Sequence, residues 1–314
     1  MRVTLVTWQA LGDTLVSLPV AYHLEALGHD VAILNTQGNG QTLRRQYIDL
    51  LPTYPAFASS HAGRSIPLSR EAHPANGEAG VLRVGYGRII DLTACSRFGW
   101  KGSGHICEGI AIAAGLTLGA TPHFPLLAKP IEYAARAAEL TGSAEPYVLV
   151  APEGSHPERH LTQEQVAAVA RTARTVVVHH ERREYPGDVN LTGQTTLADL
   201  VTLTAEASAV VSVDTGTWHL APAFLTPTLG IVGQTSNPAA LDYRPTLYLQ
   251  DPISEQAVPP EQIAEALEML LVTRPLSETR VSANGVRWWE TVEVRSRLAT
   301  AEQHQRNINR AWEV

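Results

Sequence analysis

The stretch DTGTWH, residues 214–219, places polar side chains directly after a run of apolar ones. The preceding ASAVVSV predicts a buried strand over 209–213, and the following TWHLAPAFL predicts a helix over 217–225. Ligands of open α/β sheets bind at the carboxyl ends of strands, and the unpaired amides of a helix start suit phosphate groups. The spacing therefore predicts a phosphate site at the backbone amides of Thr215, Gly216 and Thr217.

The two ionisable side chains of this junction each have two interpretations. Asp214 could cap the helix, as aspartate does well, or could bind sugar hydroxyls, because its charge would repel a phosphate. His219 lies in the first turn of the helix, where it could donate a hydrogen bond to a phosphate oxygen. A lone helical histidine is also a common structural residue, so both alternatives stay open.

A second junction of the same kind is APEGSHPERHLTQEQ, residues 151–165. Gly154 and Ser155 follow a strand predicted over 147–151, and Thr162 with Gln165 forms a capping box for the next helix. Arg159 lies just before that helix, where its guanidinium could bind a diphosphate with two hydrogen bonds. The alternative is a solvated loop.

The first strand of the chain is followed by LGDT, residues 11–14, which places a carboxylate at a third junction. Asp13 could act as a general base on a substrate hydroxyl, with Gly12 and Thr14 beside the acceptor. As a helix N-cap it would instead accept backbone hydrogen bonds, which lower the pKa of a carboxyl group and weaken a base. The local pattern alone favours the cap.

Several motifs of other enzyme classes do not occur in the sequence. There is no Asp-x-Asp pair to hold a metal on a diphosphate, no Walker A loop and no Gly-x-Ser-x-Gly elbow. GNGQTL at 38–43 is an imperfect dinucleotide fingerprint that does not open from a strand into a helix. We therefore expect neither a metal nor a cofactor.

Charge and cysteine content limit the partners. The net charge of −7 argues against bulk binding of nucleic acid, but residues 41–105 carry eight Lys or Arg against four acidic residues. This sector is either solvated loop or a surface for an anionic acceptor, with Arg97 and Lys101 as candidate contacts. Two cysteines and no apolar run of membrane-spanning length predict a cytoplasmic protein, including one at the inner face of the membrane.

Alternating strand and helix patterns occur in two series, which predicts a parallel α/β fold of two similar domains. We place the domains at 1–140 and 141–275. The remaining residues, 276–314, end in a long polar and amphipathic segment, which predicts a helix over about 287–312.

Two segments together resemble the heptosyltransferase family, glycosyltransferase family 9. LGDTLVSLPVAYHLEALGHDVAIL, residues 11–34, is similar to the opening of that family. NLTGQTTLADLVTLTAEASAVVSVDTGTWHLAPAFLTPTLGIVGQTSNP, residues 190–238, is similar to its donor-site block. The block shares a Gly-x-Thr-x-Leu helix start and an Asp-Thr-Gly-x-x-His junction with the family.

The resemblance implies the GT-B fold, in which two Rossmann-like domains face a cleft and a C-terminal helix returns to the first. It also implies an inverting, metal-independent transfer of heptose or another sugar from a nucleotide-diphosphate sugar, typically an ADP-sugar, bound by the second domain to an acceptor bound by the first. Asp13 matches the base of the family, and Arg159 stands where the family has a phosphate-binding lysine, while the tryptophan that follows it is missing. The alternatives are a nucleotide-sugar epimerase on the same fold and a non-catalytic nucleotide-sugar-binding subunit.

Overall fold

The described residues of the chain fall into two units, the first ending at Ala128 and the second beginning at Lys129. The computed structural model describes residues 2–8, 10–36, 46–53, 58–59, 80–84, 87–92, 107, 110–111, 116, 127–154, 158–233, 246–251, 253–273, 279–283 and 286–290. The structure moves the predicted domain boundary from 140 to 128. The helix over 133–141 belongs to the second unit because Ala137 packs in its core and Arg136 pairs with Asp199.

The first unit is a five-stranded sheet with the order β3-β2-β1-β5-β4. Its elements are β1 (Arg2–Trp8), α1 (Leu11–Ala26), β2 (Asp30–Thr36), β3 (Ala58–Ser59), β4 (Gly80–Val84) and β5 (Gly87–Asp91). All neighbouring strands are parallel except β4 and β5, which pair antiparallel. Helix α1 ends before Gly28, whose φ of +80° is the left-handed conformation that glycine adopts without strain.

The second unit is a six-stranded parallel sheet with the order β11-β10-β9-β6-β7-β8. Its strands are β6 (Val148–Ala151), β7 (Thr175–Val177), β8 (Val189–Asn190), β9 (Ala209–Val213), β10 (Thr228–Val232) and β11 (Thr246–Gln250). Its helices are α2 (Tyr133–Thr141), α3 (Gln163–Thr172), α4 (Leu197–Glu206), α5 (Gly216–Ala223) and α6 (Pro260–Thr273). The two sheets confirm the predicted α/β class with Rossmann-like units.

Both faces of the second sheet are buried, as its near-continuous apolar strands require. In β6, Val148 and Val150 pack with residues of α3 and α6, while Leu149 and Ala151 pack on the other face with residues of α2 and α4. The strand bounds of β9, 209–213, are those predicted from the sequence. The capping box of Thr162 and Gln165 is also confirmed, with both reciprocal hydrogen bonds present.

The C-terminal segment departs from the prediction. Residues Thr279–Ala283 (β12) and Val286–Glu290 (β13) form an antiparallel pair, so the helix predicted over about 287–312 is wrong at 287–290. Asn284 and Gly285 separate the two strands, and Asn-Gly is the residue pair that two-residue hairpin loops favour. Residues 291–314 lie outside the described part of the chain.

Helix α5 is fixed to the sheet by one aromatic contact. Trp218 has no exposed surface, and its indole ring occupies the space where a side chain at Gly230 of β10 would begin. Gly230 is therefore required for close approach of α5 and β10 rather than for its backbone conformation. Through Trp218, this contact sets the position of the helix that begins at the DTG junction.

We predict that Gly230→Ala lowers the free energy of unfolding by about 3 kcal/mol, the upper range for overpacking a core. The new methyl group would overlap the Trp218 ring. Urea unfolding measures the loss, and the matched background is Trp218→Leu, which empties the space. Gly230→Ala should cost much less in that background, and an equal cost in both would contradict the contact.

Candidate active site

The carboxyl ends of β6 and β9 lie side by side at the point where the order of the second sheet reverses. From β6 the chain proceeds through β7 and β8 to one edge, and from β9 it proceeds through β10 and β11 to the other. Ala151 and Ser212 are the last paired residues of the two strands. Crevices for ligands form at such switch points because the loops leave the sheet in different directions.

Gly154 allows the two loops that leave these strands to approach each other. A side chain at Gly154 would begin 3.3 Å from the Asp214 carbonyl oxygen and 3.3 Å from Thr215 Cγ2. Both distances are tighter than most methyl contacts, so any larger residue would push the loops apart. The structure thus gives Gly154 a packing role at the junction where the sequence placed it.

Arg159 is brought back to the junction by a short turn of the chain. The Gly154 amide donates to the Arg159 carbonyl over 2.8 Å, and Glu153 forms a β-bridge with His160. The guanidinium Nη1 then lies 2.9 Å from Asp214 Oδ2, with the two side chains 23% and 14% exposed. The cation is therefore held in place at the mouth of the junction and remains accessible to a ligand.

The ion pair corrects the role predicted for Asp214. The N-cap of α5 is Thr215, whose hydroxyl accepts the Thr217 amide over 3.1 Å. Asp214 is not the cap, because its carboxylate faces Arg159 instead. A carboxylate in this position orients the guanidinium and offsets its charge when no anionic ligand is bound.

The same capping bond reduces the set of amides that could bind phosphate. The Thr217 amide is used by Thr215 Oγ1, and Thr217 itself is 5% exposed, so its predicted phosphate contact is wrong. The amides of Thr215 and Gly216 have no hydrogen-bond partner among the described residues. Two backbone donors and one guanidinium thus lie at the start of α5.

His219 is buried beneath this junction, with 8% of its surface exposed. Burial lowers its pKa to about 4, the nearby Asp214 raises it, and Arg159 lowers it. The imidazole is therefore neutral at neutral pH and adds no positive charge to the site. His219 could contact a phosphate only by donating a hydrogen bond from its neutral imidazole, not by forming an ion pair.

A second cluster at the same edge of the sheet surrounds Glu153, which follows β6. Its Oε1 accepts from the Tyr185 hydroxyl over 2.7 Å and lies 3.4 Å from Arg183 Nε, while Oε2 lies 3.7 Å from His179 Nε2. Burial, and then the bond to Glu153, raise the pKa of the Tyr185 phenol. No local signal in the sequence indicates this cluster, because HHERREY, residues 179–185, resembles a solvated loop and Glu153 is distant from it in the sequence.

Asp13 lies in the first turn of α1, in the first unit. The N-cap of that helix is Ala10, three positions earlier, so the N-cap interpretation of Asp13 is wrong. No hydrogen-bond or ion-pair partner of Asp13 is found in the described part of the chain. Burial raises the pKa of the Asp13 carboxyl from 3.8 to about 6, the opposite of the shift that capping would cause.

The remaining candidate residues differ in burial and in hydrogen bonding, and several of them lie outside the described residues. Gly12 is half-buried beside Asp13, but Thr14 has no exposed surface, and its hydroxyl is bonded to Ala10 and Asn35. Thr14 therefore cannot contact an acceptor directly, which corrects that prediction. Ser155, Arg97, Lys101 and most of the basic sector lie outside the described residues.

The described residues contain no group of three or more His, Cys, Asp or Glu side chains placed to hold a metal ion. None of the helices in that part of the chain combines the length and the apolar character that a bilayer crossing requires.

Residues 120–244 match the sequence model of glycosyltransferase family 9 (heptosyltransferase). The matched range contains Arg159 and the whole DTGTWH junction. The resemblance to glycosyltransferase family 9 is confirmed. No curated protein matches the chain by sequence.

Solved structures of similar fold agree with this result. A family 9 glycosyltransferase from Veillonella parvula covers 86% of this chain and 97% of its own, with 15% identity and a TM-score of 0.59. ADP-heptose LPS heptosyltransferase II from E. coli covers 87% and 99%, with 14% identity and a TM-score of 0.55. The E. coli heptosyltransferase WaaC, solved with ADP, covers 85% and 99%, with 15% identity and a TM-score of 0.55. The fold is that of these GT-B glycosyltransferases, and the matched family is one of glycosyltransferase enzymes.

We predict that His219→Gln removes part of the acid sensitivity of the fold. The pKa of His219 is 6.5 when exposed and about 4 in the folded chain, so the unfolded state binds more protons between these values. Stability is therefore present above pH 6.5 and lost as the pH falls towards 4. Between pH 7 and pH 5, His219 should account for about 2 kcal/mol of this loss.

The measurement is urea unfolding of both proteins at pH 7 and at pH 5. Glutamine keeps a neutral polar side chain at position 219 but has no proton to take up. Parallel loss of stability in the wild type and in His219→Gln would show that the imidazole is not buried in its neutral form.

Proposed function

We propose that this protein is an inverting glycosyltransferase that moves a sugar from a nucleotide-diphosphate sugar to an acceptor hydroxyl. The observation that carries the proposal is the switch point between β6 and β9. There an accessible guanidinium and two unused helix-start amides lie within the segment that matches the heptosyltransferase family. This is the arrangement that an anionic diphosphate requires.

The donor site would act mainly on the leaving group. When the bond between the sugar and the β-phosphate breaks, the leaving nucleoside diphosphate gains negative charge. Arg159 and the amides of Thr215 and Gly216 are fixed before this charge develops, so they stabilise it without reorganising. A protein cation in this position can supply the charge that a metal ion supplies elsewhere, which supports the expectation of metal-independent transfer.

Asp13 would act on the acceptor. The acceptor oxygen attacks the anomeric carbon, the bond from that carbon to the phosphate oxygen breaks, and Asp13 takes the hydroxyl proton. A single displacement of this kind inverts the anomeric centre. A carboxyl group with a pKa of about 6 is ionised at neutral pH yet basic enough to accept a proton in the transition state.

We propose an ADP-sugar as donor, with ADP-heptose as the first candidate. WaaC, solved with ADP and with an ADP-2-deoxy-2-fluoro heptose, shares the fold of this chain. Position 159 is an arginine where the family has lysine, which keeps the charge and allows two parallel bonds to phosphate. Leu161 stands where the family has the missing tryptophan. It is 1% exposed and packs in the core of the second unit, so this position stabilises the fold. We propose that the acceptor is anionic and that the protein itself is cytoplasmic.

We predict that Arg159→Ala weakens ADP binding about 10- to 150-fold, which corresponds to about 1.5–3 kcal/mol. The substitution removes a charge-assisted bond and leaves the Asp214 carboxylate without its cation, facing the diphosphate. Isothermal titration calorimetry with ADP measures the change. Arg159→Lys should retain most of the affinity because it restores the residue of the family.

The matched control for this experiment is Arg171→Ala. Arg171 is an exposed arginine in the last turn of α3, at the opposite end of the helix from the Thr162 cap. It should leave ADP affinity unchanged. Equal affinities of Arg159→Ala and the control would remove Arg159 from the donor site.

We predict that Asp13→Asn lowers turnover about 10²- to 10⁴-fold without weakening ADP binding. The assay measures ADP release from ADP-heptose with a deacylated lipopolysaccharide core oligosaccharide as acceptor. In the wild type, the rate should rise with pH through about 6 as Asp13 ionises. The variant should also melt higher at pH 7, because the raised pKa means that the buried charge costs stability above pH 6.

Three outcomes separate the candidate functions. Near-normal turnover in Asp13→Asn would exclude Asp13 as the base. ADP binding without transfer to any acceptor would favour a non-catalytic subunit. Recovery of an isomerised nucleotide sugar, with no glycoside formed, would favour the epimerase.

A further inference from the structure

A buried hydrogen-bond network surrounds Asn35 at the carboxyl end of β2. Asn35 has no exposed surface, and its Nδ2 donates to Thr7 Oγ1 over 2.7 Å and to Thr14 Oγ1 over 2.6 Å. Its Oδ1 accepts the Tyr47 amide over 3.0 Å. One side-chain amide thus joins β1, β2, α1 and the segment at Tyr47.

Thr14 is the member of this network that belongs to α1. Its hydroxyl donates to the Ala10 carbonyl over 3.1 Å, and its backbone N–H donates to the same oxygen over 3.2 Å. Since the single hydroxyl proton is directed to Ala10, Thr14 Oγ1 must accept from Asn35. Only the NH₂ end of the amide can supply that bond, so the orientation of Asn35 is fixed.

These bonds replace the cap that α1 lacks. Ala10 occupies the N-cap position and has no side chain that could accept the first amides of the helix. The first turn is instead tied to the two central strands through Thr14 and Asn35. A first turn without a cap or such a tie frays readily, because its amides lack partners.

Asp13 is the residue whose position depends on this tie. It precedes Thr14 in the same turn and has no hydrogen-bond or ion-pair partner among the described residues that could orient it. Within the described part of the chain, the backbone of this turn is what places the carboxylate. Displacement of a reacting group by about 1 Å costs on the order of 10²-fold in rate.

We infer that Asn35, acting through Thr14, is the positioning residue that holds Asp13 in place for proton transfer. The inference rests on the proposed role of Asp13 as base. Asn35 is fully buried and does not touch the substrate. A network that served only stability would change the melting temperature but would leave the environment of Asp13 unchanged.

The test removes the hydrogen bond between Asn35 and Thr14 by changing Thr14. Thr14→Val has nearly the same shape but no hydroxyl, and Thr14→Ser restores the hydroxyl. If Thr14→Val does not fold, Asn35→Ala removes the same hydrogen bond from the side of β2. The pKa of Asp13 is measured by NMR on protein with ¹³C-labelled aspartate carboxyls, with Asp13→Asn assigning the resonance. Turnover of ADP-heptose and ADP affinity are measured on the same variants.

In Thr14→Val we expect the pKa of Asp13 to fall from about 6 towards its ordinary value, because water reaches the loosened turn. Turnover should fall about 10- to 100-fold with ADP affinity unchanged. Thr14→Ser should recover most of the turnover and most of the raised pKa of Asp13. Asn35→Ala should add little to Thr14→Val, since both break one link.

The matched control is Ser17→Ala, which removes another buried hydroxyl of α1, bonded to the Thr14 carbonyl and not to Asn35. It should leave the pKa of Asp13 and turnover unchanged. A Thr14→Val variant that behaves like Ser17→Ala in both measurements would overturn the inference. A shifted pKa together with full activity in Asp13→Asn would instead refute Asp13 as the base and support only the anchoring of the turn.

Discussion

The pairing of β6 with β9 is the constraint on which the candidate donor site depends. These strands are far apart in sequence, and their parallel register brings Ala151 opposite Ser212. Every later feature of the site follows from that register. The loops leave the sheet together, Gly154 lets them touch, and the turn from Glu153 to His160 returns a guanidinium to Asp214.

The ion pair between Arg159 and Asp214 has a consequence for binding. Without a ligand, the guanidinium charge is largely balanced by a carboxylate at 2.9 Å. The proposed diphosphate ligand would have to share or displace Asp214, so part of its binding free energy would be spent on this exchange. In return, Arg159 would already be oriented when that ligand arrives. The pair would therefore favour ligands with at least two negative charges over singly charged anions.

Local sequence patterns predicted strand bounds and helix starts, because these features depend on residues that are close together in the sequence. A continuous apolar run predicted the bounds of β9, and the spacing of Thr162 and Gln165 predicted a helix start. The antiparallel pairing of β12 with β13 also had a local signal in the sequence, Asn-Gly at 284–285, which the apolar spacing of the tail obscured. The Asn35 network and the Glu153 cluster had none, because buried polar side chains are satisfied by partners distant in sequence.

Burial is the main cause of the pKa shifts of two acid–base groups of the candidate sites, although the two pKa values move in opposite directions. Burial favours the neutral form of any side chain, so it raises the pKa of Asp13 to about 6 and lowers that of His219 to about 4. At neutral pH, Asp13 is therefore a charged carboxylate that is more basic than usual, and His219 is a neutral imidazole. Since burial, and no charged neighbour among the described residues, raises the pKa of Asp13, the packing of its helix turn maintains that pKa. A base tuned in this way needs an anchored turn, and the buried polar bonds to β1 and β2 supply that anchor at a helix start that has no side-chain cap of its own.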